Sequence, residues 1–293
     1  MGPMPGAPGA PVQPERTSAW WRILRSALGF YVLGLVLLLL TDNPALFPTV
    51  VLLGSFMVPA TYVAFFYEHR HLSDLSLRTT ILSFFYGGVL GVFAAAVLEP
   101  LVIRRLDFVS DFAIGGIEEC AKLLGVLVIA RRQRHDAELD GLILGVVAGT
   151  GFAALESLGY AFGAFVRSGG NLSLTVTVML VRGLFAPLGH GTWTGLVAGV
   201  LFRESTAVGF HINRKVLGAY GCVVVLHGLW DAMPWLMLAV VPTDLSVLTG
   251  PVIVGAISLC LFWRRWREAV RLQVTQVRTA GPPVQRAGAA PAG

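Results

Sequence analysis

Eight stretches of apolar sequence, each long enough to cross a bilayer, constrain this chain more than any other feature. They run roughly Trp21–Leu40, Phe47–Tyr67, Thr80–Leu98, Phe108–Ala130, Gly141–Val166, Leu172–Phe202, Val216–Val240 and Ser246–Trp263. A helix needs about 20 residues to span the hydrocarbon core. Backbone polar groups in lipid have to pair within their own segment, so the runs predict an all-α, polytopic transmembrane bundle of about eight spans. The charge content agrees. Only 13% of the residues are charged, against about 25% in soluble domains, and mean hydropathy is +0.71. That leaves too little polar surface to cover a water-soluble globule. The sixth run is the longest and holds Arg182 and Pro187. It reads either as one tilted, kinked span or as a short element followed by a span.

The loops set the orientation. One set of helix ends carries Arg16, Arg22, Arg25, Arg70, Arg78, Arg131, Arg132, Arg134, Arg203, Arg214, Lys215, Arg264, Arg265 and Arg267, while the alternate loops carry only Arg104, Arg105 and Arg167. The positive-inside rule then places both termini in the cytoplasm, which requires an even number of spans. The multi-pass chain is expected in the cell (inner or plasma) membrane. Residues 1–18 are rich in Pro, Gly and Ala and read as a disordered cytoplasmic tail, 19–268 as the transmembrane domain, and 269–293 as a second disordered tail. The first run is too long for the apolar core of a signal peptide and lacks a small-residue cleavage site, so it reads as a retained span. The net charge of +5 lies mostly in arginines of loops and tails, where it suits anionic lipid and gives no nucleic-acid signal. Cys120, Cys222 and Cys260 sit inside apolar runs and form no disulfide framework. Gly141, Gly145 and Gly149 on the fifth run, and Gly191, Gly195 and Gly199 on the sixth, repeat every four residues. Such ridges let helix backbones approach closely in lipid.

The residues that carry chemistry are those that lipid should exclude. A charge at the bilayer centre costs about 2.5–3.5 kcal/mol on insertion scales. Even so, the fourth run holds Glu118, Glu119 and Lys122, the fifth Glu156, the sixth Arg182 and His190, and the seventh His227 and Asp231. Counted from the cytoplasmic end of each run, Glu118, Glu156, His190, His227 and Asp231 lie about 11–15 residues deep, which places them within about 6 Å of one plane. His227 and Asp231 share a helix face, as do Glu118 and Lys122, because each pair is four apart. Phe152, Glu156 and Tyr160 form one stripe, and Glu119 points about 100° away from Glu118. Four acids against two cations leave a deficit that a divalent metal would cancel, and carboxylates with imidazoles are a zinc-type donor set. Protonated acids or charged histidines would balance it equally well. His69, His71, His135 and His211 fall in loops and are assigned no role.

The ordered set Glu118-Glu119-x-x-Lys122, Phe152-x-x-x-Glu156-x-x-x-Tyr160, His190 and His227-x-x-x-Asp231 resembles the PrsW family of intramembrane metalloproteases, distant relatives of the CAAX prenyl endopeptidases. The resemblance covers roughly residues 80–240. It implies cleavage of a membrane-anchored protein, an anti-sigma factor in the best-known case, with a divalent metal, Zn²⁺, as cofactor. Under it the catalytic group is Glu118, Glu119 and Lys122, with Glu118 as general base and Glu119 and Lys122 paired to tune it. The metal ligands are His190 and His227 with Glu156 or Asp231. Two alternatives stay open: Glu118 and Glu156 exchange roles, with Glu118 on the metal, or Asp231 orients the His227 ring without touching the metal. A metal-independent scheme, with a Glu–His activated water and a histidine-supported oxyanion hole, uses the same residues. The competing function is a proton- or ion-coupled transporter built on the same cluster, although no inverted repeat pairs the two halves of the chain.

Overall fold

The computed structural model describes residues 18–280 apart from 69, 71, 74, 106, 132–136, 207, 239 and 241. His69, His71 and His135, and most of both expected tails, lie outside the described residues. The elements are α1 (Ala19–Thr41), a 3-10 turn (Pro44–Leu46), α2 (Phe47–Glu68), α3 (Leu77–Val102), α4 (Phe108–Ala130), α5 (Glu138–Arg167), α6 (Leu172–Glu204), α7 (Arg214–Met237), the short α8 (Thr243–Ser246), a π-helical turn (Gly250–Val254) and α9 (Gly255–Ala280). No β-strand occurs among the described residues. Among the described residues, six helices have the length and composition to cross a membrane: α1, α2, α3, α5, α6 and α7. Helix α4 has the length, but carries Asp111, Glu118, Glu119 and Lys122. The result is a polytopic helical bundle, with eight long helices among the described residues.

The helix starts are written in the sequence. Asp107 accepts from the backbone N–H of Val109 (3.1 Å) and Ser110 (2.9 Å), and the Ser110 hydroxyl accepts from the Asp107 N–H, which closes a capping box at α4. Asn171 and Asn213 cap α6 and α7 in the same manner. The α5–α6 turn needs two residues with positive φ, and Gly169 and Gly170 supply them.

Helix α5 is the central post. Most of its residues are buried, among them Leu139, Leu142, Ile143, Leu144, Val147 and Phe152. Its glycines serve as the repeat predicts. A Cβ on Gly141 would meet the Ala198 carbonyl, one on Gly145 would meet Thr194 and Gly195, and one on Gly149 would meet the His190 carbonyl. Backbone contact of this kind sets α5 against α6 at the turn that carries His190. Gly115 performs the same service between α4 and α7, since its Cβ would lie 3.0 Å from the His227 Cβ.

One open reading is resolved, in favour of a single span, and one expectation is corrected. The sixth run forms one continuous helix, Leu172–Glu204, with Pro187 inside it. Pro187 removes the backbone donor for the Gly183 carbonyl, and at Gly183 α6 packs closely on Gly54 of α2. The eighth run does not begin as a helix at Ser246. Pro251 lies at the start of the π-turn, and the regular helix begins at Gly255. It then continues to Ala280, twelve residues into the stretch read as tail. Phe262, Trp266 and Ala269 recur at helical spacing and are buried against the bundle, and Arg265 pairs with Glu138 of α5. This apolar stripe survives among the charges and carries the helix onward.

Candidate metal and catalytic centre

Three helices meet at one buried lysine, and a fourth, α7, reaches its partner Glu119. Lys122 of α4 is fully buried and donates three hydrogen bonds: to Glu118 Oε2 (3.0 Å), to Glu119 Oε1 (2.8 Å) and to His190 Nδ1 (2.8 Å). The i+3 and i+4 spacings on α4 supply the first two, and the α5–α6 glycine contact brings the third. The Lys122 ammonium also lies 3.8 Å from the centre of the Phe152 ring. Glu119 is buried as deeply. Its other oxygen accepts from the Thr194 hydroxyl (2.9 Å), and its Oε1 lies 3.1 Å from His227 Nδ1.

The two histidines face one another from α6 and α7, with ring centres 5.1 Å apart. Each has a carboxylate at one nitrogen. His190 Nε2 is 3.0 Å from Glu156 Oε2, and His227 Nδ1 is 3.1 Å from Glu119 Oε1. The opposite nitrogens turn toward Glu118: His190 Nδ1 is 3.9 Å and His227 Nε2 3.6 Å from Glu118 Oε2. Glu118, His190 and His227 therefore each offer a ligand atom, all within 4.8 Å of one another, and all three residues are buried. Asp231 lies 3.5 Å from His227 Nε2.

The stripe read on α5 is used along its whole length. Phe152 lies under Lys122, Glu156 pairs with Arg182 (2.7 Å), and the Arg182 guanidinium stacks 3.8 Å over the Tyr160 ring. The residues singled out in the sequence thus come together. The geometry adds three more. Trp193 is fully buried, stacks on His227 at 4.6 Å and donates to the Ser258 hydroxyl of α9 (2.8 Å). Thr194 holds Glu119, as above. Glu99, near the end of α3, interacts with Glu118 and shares a cavity of about 360 Å³ with Asp111, Glu118, Glu156, Tyr160 and Asp231. Glu99 was missed because it stands one residue beyond the apolar run read for α3. The Trp and Thr carry no signal of their own inside an apolar helix.

Residues 76–259 match the family described as PrsW family intramembrane metalloprotease, which takes in α3 through the start of α9. The chain belongs to the PrsW family. Neither the curated proteins nor the solved structures compared with it contain a match. Membership makes the chain an intramembrane protease of a metalloprotease family, a multi-pass membrane protein whose substrate is embedded in the bilayer. The PrsW match leaves out α1 and α2 and encloses every residue of the buried cluster.

The donor set fits the metal that the family implies. One carboxylate and two imidazoles is a common catalytic zinc set, with a fourth position left for water. Each imidazole is backed by a carboxylate, which is how ligating histidines are held in one tautomer. The charge also fits. Once Glu99 is counted, five acids surround two cations, and a divalent ion offsets most of that excess.

Proposed function

We propose that the chain hydrolyses a peptide bond of a membrane-anchored protein in the cell (inner or plasma) membrane, an anti-sigma factor in regulated proteolysis, with Glu118, His190 and His227 as metal ligands. The observation that carries this reading is the convergence of three buried ligand atoms within 4.8 Å, together with a carboxylate behind each histidine. It shares with one alternative open in the sequence the placing of Glu118 on the metal, and differs from it in giving the base role to Asp231 rather than to Glu156. Glu156 then stands behind His190 and fixes its ring, and Glu119 does the same for His227. Lys122 keeps its two carboxylates, offsets their charge and releases His190 Nδ1. Asp231 lies beside the face of His227 that would ligate, and takes the proton of the attacking water. A bound divalent ion supplies a lowered water pKa and polarises the scissile carbonyl. Zn²⁺ is the ion that the donor set favours. The family match supports hydrolysis over the transport reading.

The test is the metal content of the purified, detergent-solubilised protein beside His190→Ala/His227→Ala, with cleavage of a membrane-anchored reporter followed in parallel. About one Zn²⁺ per chain is expected in the wild type and none in the variant. A folded, cleaving wild type that holds no metal would overturn the ligand assignment and leave the metal-independent Glu–His scheme.

A further inference from the structure

A second cavity, of about 670 Å³, opens between α6, α7 and the π-turn. Its walls include Val178, Val181, Phe185 and Val247, and two charged groups lie among them, Arg182 and Asp231. Asp231 also lines the acidic chamber that holds Glu99, Glu118 and Glu156. The aspartate is thus the partition between an apolar groove and the candidate metal centre. Arg182 reaches Glu156 across that partition, and its Nε has no hydrogen-bond partner.

An acyl chain needs none of these polar groups. A peptide does. A helix crossing lipid hides its scissile bonds behind intact backbone hydrogen bonds, and exposing one there strands N–H and C=O groups that hydrocarbon cannot satisfy. The groove offers what such a stretch lacks: a guanidinium to donate to a carbonyl, a carboxylate to accept from an N–H group, and apolar walls for everything else. We propose that this groove seats an unwound stretch of the substrate's membrane-spanning segment, and that Arg182 holds a backbone carbonyl there and delivers the chain past Asp231 to the metal centre. The substrate class is therefore a single hydrophobic span with helix-breaking residues near the cut. This rests on the proteolytic reading.

The experiment uses the full chain in phosphatidylcholine nanodiscs, in a Glu118→Gln background so that nothing is consumed. A photo-crosslinking benzoylphenylalanine replaces Val178 in the groove or, as the control, Val32 on the exposed side of α1. The probe is a synthetic Leu/Ala span of about 20 residues with a central Gly-Pro, compared with the same span lacking it. Cross-linking at 178 to the Gly-Pro span should exceed that at 32, and that of the unbroken span, by about tenfold, the scale of a hydrogen bond to a charged group. Arg182→Gln should remove about tenfold of it. Val181→Trp, which fills the groove and keeps Arg182, should do the same and keeps the test valid if the arginine variant unfolds. Equal capture at 178 and 32, equal capture of both spans, or a groove that captures only lipid would overturn the proposal. Failure of hydrolysis is read separately: a wild type that captures the span at 178 and cleaves no reporter retains the groove and loses the protease.

Discussion

Helices α1 and α5 are both apolar helices of spanning length, and they are built to opposite ends. On α1 only Tyr31 and Leu38 are buried, and Phe30, Val32, Leu33, Leu39 and Leu40 face outward. On α5 the larger part of the helix is enclosed, glycine backbone touches α6, and Glu156 reaches the buried cluster. One presents leucine to lipid and the other presents glycine to protein. In lipid, burying leucine against a neighbour gains little, because the tails are as apolar as the side chain. What holds α5 is close packing and polar contact, and what those hold in place is the site. The family match follows the same line, since it begins after α2 and encloses α3 to α7.

The comparison predicts a steep gradient of mutational effect from the cluster outward. The largest effect belongs to Glu118→Gln, which preserves shape and removes the anionic donor. Cleavage of a membrane-anchored reporter should fall by at least about a thousandfold with the melting temperature little changed. Cleavage within tenfold of wild type would remove Glu118 from the chemistry. Next is Lys122→Met. It leaves Glu118 and Glu119 buried without their shared cation and should lower stability by about 3–5 kcal/mol, the usual result of removing one partner from a buried ion pair. Unfolding in detergent, wild type beside variant, measures it. A loss below about 1 kcal/mol would mean that the carboxylates find protons or metal instead.

Much of this gradient was legible in the sequence, for reasons that differ by residue. Bilayer thickness imposes run lengths, so the helices were visible, and α4 has the predicted bounds Phe108–Ala130. Charges in lipid have to be paired, so Glu118, Glu119, Lys122, Glu156, Arg182, His190, His227 and Asp231 announced themselves. Their partners were harder to foresee. Lys122 serves both glutamates and His190 at once, and a spacing rule sees one helix at a time. Trp193 looks like any apolar residue of a span, although it stacks on His227. Glu99 falls one residue beyond the apolar run Thr80–Leu98, whereas α3 continues through Pro100 to Val102. The tail residues after 268 look polar by composition. The buried stripe Phe262, Trp266 and Ala269 is the signal that composition averages away.

The carboxylates behind the histidines sharpen the comparison within the core. Glu156→Gln keeps a hydrogen-bond acceptor for His190 and loses its charge, and it also loosens Arg182. On the proposed ligand assignment, affinity for the divalent metal should fall about 10–100-fold, the usual cost of altering a group that orients a ligating histidine. Titration with a competing chelator reads this directly. An unchanged affinity would return Glu156 to a purely structural pairing with Arg182.

Packing alone is tested by Gly145→Ala. The added methyl would meet the Thr194 carbonyl and the Gly195 Cα, so α5 and α6 have to separate, at a cost of about 1–3 kcal/mol. Because His190 and Thr194 lie on the α6 face so displaced, activity should fall with stability.

The smallest effect is expected on the other side of the comparison. Leu33 of α1 is 53% exposed. In Leu33→Ala the removed atoms leave lipid rather than a packed core, so neither a transfer loss nor a cavity follows, and stability should stay within about 0.5 kcal/mol. A larger loss, or a change in apparent size in detergent, would mean that α1 is not a lipid-facing helix but one side of a contact between chains. The gradient would then run from the cluster to that interface, and the outward leucines would belong to the packed part of the protein.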